Sequence, residues 1–168
     1  MDEARLTPEQ WDGLQFRMLI MYDAKVTWKG SAASFTGPDY TIWLIRKGRV
    51  AITPVSGNRI VARAGCWVLI PPGFRRHQQF TDNAEILSIH FMAGWPDGRH
   101  LFENHLPIVK LRELWPRLER VAVDLIACGG GRNTNPQRLF SEHARFESLS
   151  FALLEEWHKA VSREGVRI

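Results

Sequence analysis

The hydrophobic residues of this chain change their period near residue 95, and that change limits the folds open to it. Before it, short runs rich in Val, Ile, Trp, Phe and Thr alternate with turn clusters: LQFRMLIMY, AKVTWKG, YTIWLIRKG, RVAITPVSGN, RIVARAG, CWVLIPPG and AEILSIHF. Strands spaced this closely predict an antiparallel sandwich or barrel. RVAITPV and RIVARA flank Ser56-Gly57-Asn58 as a hairpin, and the Lys47-Gly48 turn joins Tyr40–Arg46 to it, because Gly and Asn tolerate positive φ; together they predict a meander. After residue 95, GWPDGRHLFENHLPIVKL reads as a polar, proline-bearing crossover. The period then lengthens. Leu118, Val121, Ala122, Leu125 and Ile126 repeat at helical spacing, with Pro116 suited to the first turn and Gly129-Gly130-Gly131 as the stop. Beyond the loop GGGRNTNPQR a second helix is predicted from Pro136 to Arg163, with Phe146, Leu149, Leu153, Leu154, Trp157 and Val161 as one apolar stripe.

At 168 residues the chain is long enough for one domain with a substantial core, and 45% hydrophobic with 11% aromatic residues fits a compact globular protein. The net charge of +4 comes from 22 basic and 18 acidic residues spread without a Lys/Arg run, which reads as a solvated surface rather than a nucleic-acid footprint. Cys66 and Cys128 lie far apart in apolar settings and match no metal or redox spacing, so reduced thiols in or near the core of a cytoplasmic protein are expected. The polar start MDEARLTPEQ reads as neither signal peptide nor anchor, and no apolar stretch reaches membrane-spanning length; a soluble protein without membrane partners is expected.

The stretch GCWVLIPPGFRRHQQF, Gly65 to Phe80, resembles the second metal-binding motif of a cupin barrel, but an arginine stands where the ligating histidine belongs and a histidine follows it. With YTIWLIRKGRVAITPVSGNRIVARA before it, and ILSIHF, LFENHLPIV and two helices after it, the order is similar to the N-terminal effector-binding and dimerisation domain of AraC-family transcription regulators. The likeness runs from about Tyr40 to Val161. It implies a mainly β fold with C-terminal α structure: a cupin-like (jelly-roll) barrel over residues 1–95, then a crossover and helical dimerisation hairpin over 96–168 of the same domain. The family's two helix-turn-helix units have no counterpart in these residues, so DNA contact is expected only through a domain absent from this chain.

In metal-binding cupins, two His and one Glu from the first motif join one His from the second. The resemblance carries the Glu position to Thr41, the two His positions to or near Ser34 and Thr36, and the last His position to Arg76. Hydroxyls and a permanent cation do not assemble such a site. His77 is one residue late, and a one-residue offset in a strand points a side chain to the other face, so it is read as surface. No metal and no other cofactor is expected.

Period-two alternation instead carries Thr41 inward with Trp43 and Ile45, and Arg76 inward with Gln78. On the last strand the family's ligand-contacting phase lands on Ile86, Ser88 and His90. An aromatic face, a fixed cation and several neutral hydrogen-bonding groups then line the barrel, as in a small-molecule site. The competing reading makes Trp43 plain core, sends Arg76 to the barrel rim and leaves His90 as a hydrogen-bonded core residue.

Among other groups, GGGR lacks a leading strand and a GK[ST] ending, so it reads as a helix C-cap rather than a phosphate loop. Glu142, His143 and Glu147 read as a solvated helix face, and Glu155 with Lys159 as an i,i+4 pair. The expected function is effector sensing and dimerisation in an AraC-like regulator. It would bind a small polar or anionic metabolite and act as a homodimer, not as an enzyme. Leu149, Leu153, Leu154, Trp157 and Val161 supply the dimer seam, unless the stripe packs against the first helix of its own chain. A small cupin enzyme, an isomerase or dioxygenase, and a ligand-free dimerisation module remain alternatives.

Overall fold

A computed structural model describes residues 12–26, 36–102, 106–129 and 136–162. Among these residues the strands are β1 (Gln15–Lys25), β2 (Tyr40–Lys47), β3 (Arg49–Pro54), β4 (Ile60–Arg63), β5 (Cys66–Ile70), β6 (Arg76–Phe80), β7 (Glu85–Gly94) and β8 (Ile108–Leu111). The helices α1 (Pro116–Gly129) and α2 (Pro136–Ser162) follow a short 3-10 turn at Arg112–Leu114. One sheet has the order β1-β7-β2-β5-β8 and the other β4-β3-β6. The fold is therefore mainly β, a cupin-like pair of facing sheets, with two C-terminal helices.

β2 reads YTIWLIRK, an almost unbroken apolar run, because both of its faces are covered. Tyr40, Ile42 and Leu44 join the core between the larger sheet and the helices, while Trp43 and Ile45 join the core between the two sheets. Three layers result: small sheet, large sheet, helix pair.

The hairpin around Ser56-Gly57-Asn58 forms, with Arg49 opposite Arg63 and Ile52 opposite Ile60. The meander does not. β2 pairs with β5 and β7, whereas β3 pairs with β4 and β6, so the chain changes sheets at Gly48. Gly48 sits at φ +79 with Thr81 and Ala84 packed where a Cβ would stand, so this corner needs glycine. Tandem strands with a short turn suggest local pairing, yet burying both faces of β2 requires partners distant in sequence. The AKVTWKG run is not a separate strand at its start: Ala24 and Lys25 finish β1, and residues 27–30 lie outside the described residues. The crossover also contains a strand, since β8 returns to the large sheet and sets Leu69 opposite Ile108 and Cys66 opposite Leu111. Both cysteines are free and partly buried.

α1 starts at Pro116 and ends at Gly129. Leu118, Val121, Ala122 and Leu125 are buried and Ile126 is half-buried, in one cluster with the α2 stripe. Leu153, Leu154, Trp157 and Val161 are buried there too, and Leu149 packs at the edge. The exposed seam expected of these residues is thus closed within the protomer. The reason is the sheet: its outer face is as apolar as the helix stripe and must be covered. Arg117 bridges the helices through Glu155 at 2.9 Å and Glu156 at 3.3 Å, and Lys159 reaches Glu155 at 2.7 Å. Further along α2, His143 and Glu147 form an exposed pair.

Candidate ligand site between the sheets

Register brings three of the inward residues of β2 beside three of β7: Thr41 is opposite His90, Trp43 opposite Ser88, and Ile45 opposite Ile86. From the facing sheet β6 contributes Arg76 and Gln78, both buried, while His77 between them is half-buried and Gln79 exposed. The Pro71-Pro72-Gly73 turn therefore holds the expected phase. Arg76 and Trp43 are each only 2% exposed, so the guanidinium stays inside the fold rather than reaching its rim. The structure brings Thr41, Trp43, Arg76, Gln78, Ile86, Ser88 and His90 together between the two sheets.

A further residue completes the cluster. Asp39, in the bend before β2, is buried, and its Oδ2 lies 2.6 Å from His90 Nδ1 and accepts from the Thr41 hydroxyl at 3.0 Å. Thr41 Oγ1 also lies 3.2 Å from His90 Nδ1, and on the other side of the ring His90 Nε2 is 3.0 Å from Ser88 Oγ. Burial works to raise the Asp39 pKa, but the hydrogen bond and charge of His90, with Thr41, outweigh it and hold the carboxyl below its ordinary value of 3.8. Asp39 is therefore an ionised, acceptor-only group at neutral pH. In the neutral imidazole the ring hydrogen then lies on Nδ1, facing the carboxylate, and the bare Nε2 accepts the hydrogen of Ser88. The sequence reading missed Asp39: it shares the phase of Thr41 and Trp43, but in Gly37-Pro38-Asp39 it reads as turn chemistry.

Arg76 donates from Nε to Gln78 Oε1 at 3.0 Å and from Nη1 to the Phe74 carbonyl at 3.3 Å. Its Cζ lies 5.8 Å from the centroid of the Trp43 ring, within cation–π range. Burial pushes its pKa down to about 10, with the Asp39 charge acting the other way, and it remains a cation at neutral pH. Trp43 packs edge-on to Phe80, with ring centroids 5.2 Å apart. Its indole Nε1–H is buried without a hydrogen-bond acceptor. The same holds for Trp67 on the helix side of the sheet; a buried donor left unpaired costs about 1–3 kcal/mol, and of these two only that of Trp43 lies beside a buried cation.

At the positions that metal-binding cupins give to ligands stand Thr41 and Arg76; Thr36 is exposed, and Ser34 lies outside the described residues. A guanidinium facing inward repels a cation, so this donor set does not fit a metal. An open surface groove of about 430 Å³ lies elsewhere, lined by Gly65, Leu111, Arg112, Glu113, Pro116 and Glu119. Two of its charged groups are paired with each other, Arg112 holding Glu119 at 2.5 Å.

No family model and no curated protein matches the chain. Solved structures similar to it include fatty-acid-bound ToxT from Vibrio cholerae, at 16% identity and TM-score 0.42, over 88% of this chain and 55% of that one. A Cupin 2 conserved barrel domain protein from Salinispora arenicola matches at 23% identity and TM-score 0.33, over 54% of this chain and 88% of that one. YhaK from Escherichia coli matches at 15% identity and TM-score 0.42, over 57% of this chain and 43% of that one. The chain thus spans less than half of YhaK and little more than half of ToxT. These are likenesses of fold. Strand order and register independently describe this chain as a cupin-like barrel carrying a C-terminal helix pair.

Proposed function

We propose that this chain is the effector-sensing domain of an AraC-like transcription regulator, taking a small polar or anionic metabolite between its sheets. The observation that carries the reading is the buried cluster itself: a cationic guanidinium over an aromatic ring whose N–H lacks an acceptor, beside a hydrogen-bonded Asp39–His90–Ser88 chain. An apolar core does not require a buried cation and carboxylate, whereas a ligand with acceptor atoms would meet the charge of Arg76 and the N–H of Trp43. Because the cluster is buried, entry requires movement at the barrel end. There Gly73 N–H donates to the Gly37 carbonyl at 2.8 Å and joins the segment bearing Asp39 to the turn preceding Arg76. A ligand that parts these segments would bias the equilibrium that positions DNA-binding units. On this reading the protein is cytoplasmic, non-enzymatic and homodimeric, and it meets DNA only through helix-turn-helix units outside these residues. Among the described residues no helix is long and apolar enough to cross a membrane.

The order Asp39–His90–Ser88 favours one other reading, a metal-free cupin enzyme in which His90 moves a proton as an isomerase requires. A thermal-shift screen of sugars and carboxylates on wild type and Arg76→Ala tests the first reading. An acidic compound should raise the wild-type melting temperature by several degrees and leave the variant unmoved. Stabilisation that survives the substitution unchanged would remove Arg76 from the site, and turnover of the stabilising compound would favour the enzyme.

A further inference from the structure

We infer that the group recognised beside Trp43 and Ser88 is a hydroxyl adjoining a carboxylate, so that the ligand is a hydroxy acid rather than a plain carboxylic acid. This rests on the reading above and narrows it. Whenever the His90 ring is neutral, the Asp39 carboxylate 2.6 Å away holds its hydrogen on Nδ1, so Nε2 accepts and Ser88 donates its only hydrogen to it over 3.0 Å. Ser88 therefore turns its oxygen lone pairs, not a hydrogen, toward the interior. Its cross-strand partner Trp43 offers the opposite: an indole N–H with no acceptor. Directly opposed residues on one sheet face stand roughly 5 Å apart at Cβ. The proposed ligand group sits between these two cross-strand neighbours, taking the donor of one and the acceptor of the other.

A hydroxyl both accepts and donates, so it can take the Trp43 hydrogen and give its own to Ser88. An ether or carboxylate oxygen placed there would satisfy Trp43 but would meet the Ser88 lone pairs with lone pairs of its own. An ammonium would do the reverse. Arg76, beneath the same indole ring, supplies the cation for the neighbouring carboxylate. In this scheme Asp39 and His90 are positioning residues, acting on the ligand through the direction in which they hold the Ser88 hydroxyl.

Titration calorimetry of the 168-residue chain with 2-hydroxyhexanoate, hexanoate and D-gluconate tests this, because the first two differ in one hydroxyl. The hydroxy acids should bind about tenfold or more tightly than hexanoate, the range expected when a buried polar site loses its partner. Ser88→Ala should shrink that ratio to about twofold; a merely structural role for Ser88 would leave it unchanged. On the wild type, nitrogen-15 NMR of His90 should report the Nδ1–H tautomer, a readout that needs no variant to fold. Equal binding of hexanoate and 2-hydroxyhexanoate, or an Nε2–H tautomer, would overturn the inference while leaving an acidic effector in place. Failure of all three compounds to bind would overturn it together with the reading it rests on.

Discussion

On its helix side the large sheet packs Tyr40, Phe91, Phe102 and Trp157 ring against ring, with Trp157 centroids 5.1 Å from Tyr40 and 5.6 Å from Phe91. The hydroxyl of Tyr40 is used in both directions there: it accepts from the Phe102 N–H at 3.1 Å and donates to the Phe102 carbonyl at 3.4 Å. On the opposite side of the same strands, Trp43 keeps an unmet N–H, and Arg76, Asp39 and His90 bring charge or potential charge into a buried space. The helix-side face is built of neutral rings in apolar contact, and it too buries an indole N–H without an acceptor, that of Trp67. The other brings charged and hydrogen-bonded side chains inside, so the contrast is between an apolar face and a polar one, and the proposed ligand would meet the polar one.

The largest test of this contrast is Leu153→Glu, which places a carboxylate where Leu153 is fully buried. It should cost about 4 kcal/mol or more, enough to unfold a domain of ordinary stability, seen as loss of far-UV circular dichroism. A folded monomer would instead return this residue to the dimer seam. A smaller effect follows from Asp39. Its pKa is lowered on folding, so its contribution is fully present above the ordinary value of 3.8 and is lost as pH falls through the lower folded value. Asp39→Asn should lower stability by about 1–2 kcal/mol at pH 7, and the gap from wild type should narrow below pH 4, as urea titrations across pH would record. The smallest change is expected of Arg76→Met. Replacing a buried cation by an apolar side chain of similar length should shift stability by less than about 1 kcal/mol, and an increase is allowed, since charge burial is relieved. A loss of several kcal/mol in urea unfolding would make Arg76 a structural residue and dissolve the distinction between the faces.

Much of the inner surface was legible because strand alternation is local. Thr41 with Trp43, Arg76 with Gln78, and Ser88 with His90 each follow from a period of two, and the turn before Arg76 introduces no slip. Asp39 was not legible as a site residue. Its role comes from His90, 51 positions away in sequence, and a Gly-Pro-Asp bend looks like turn chemistry when read locally. The strand at Ile108–Leu111 was hidden for a similar reason: four residues between prolines, histidines and charges become a strand only because β5 offers an edge to pair with.

The sequence by itself determined the β-then-α order, the helix limits near Pro116 and Pro136, the hairpin at Gly57, and which side chains of each strand share a face. All of these depend on neighbours within a few residues, where backbone geometry sets the period. Only the tertiary structure decided which strands pair, that the α2 stripe is spent on its own sheet, and that Asp39 and His90 orient Ser88. Those outcomes depend on groups far apart in the chain competing for the same buried surface, and a local pattern carries no record of which partner arrives.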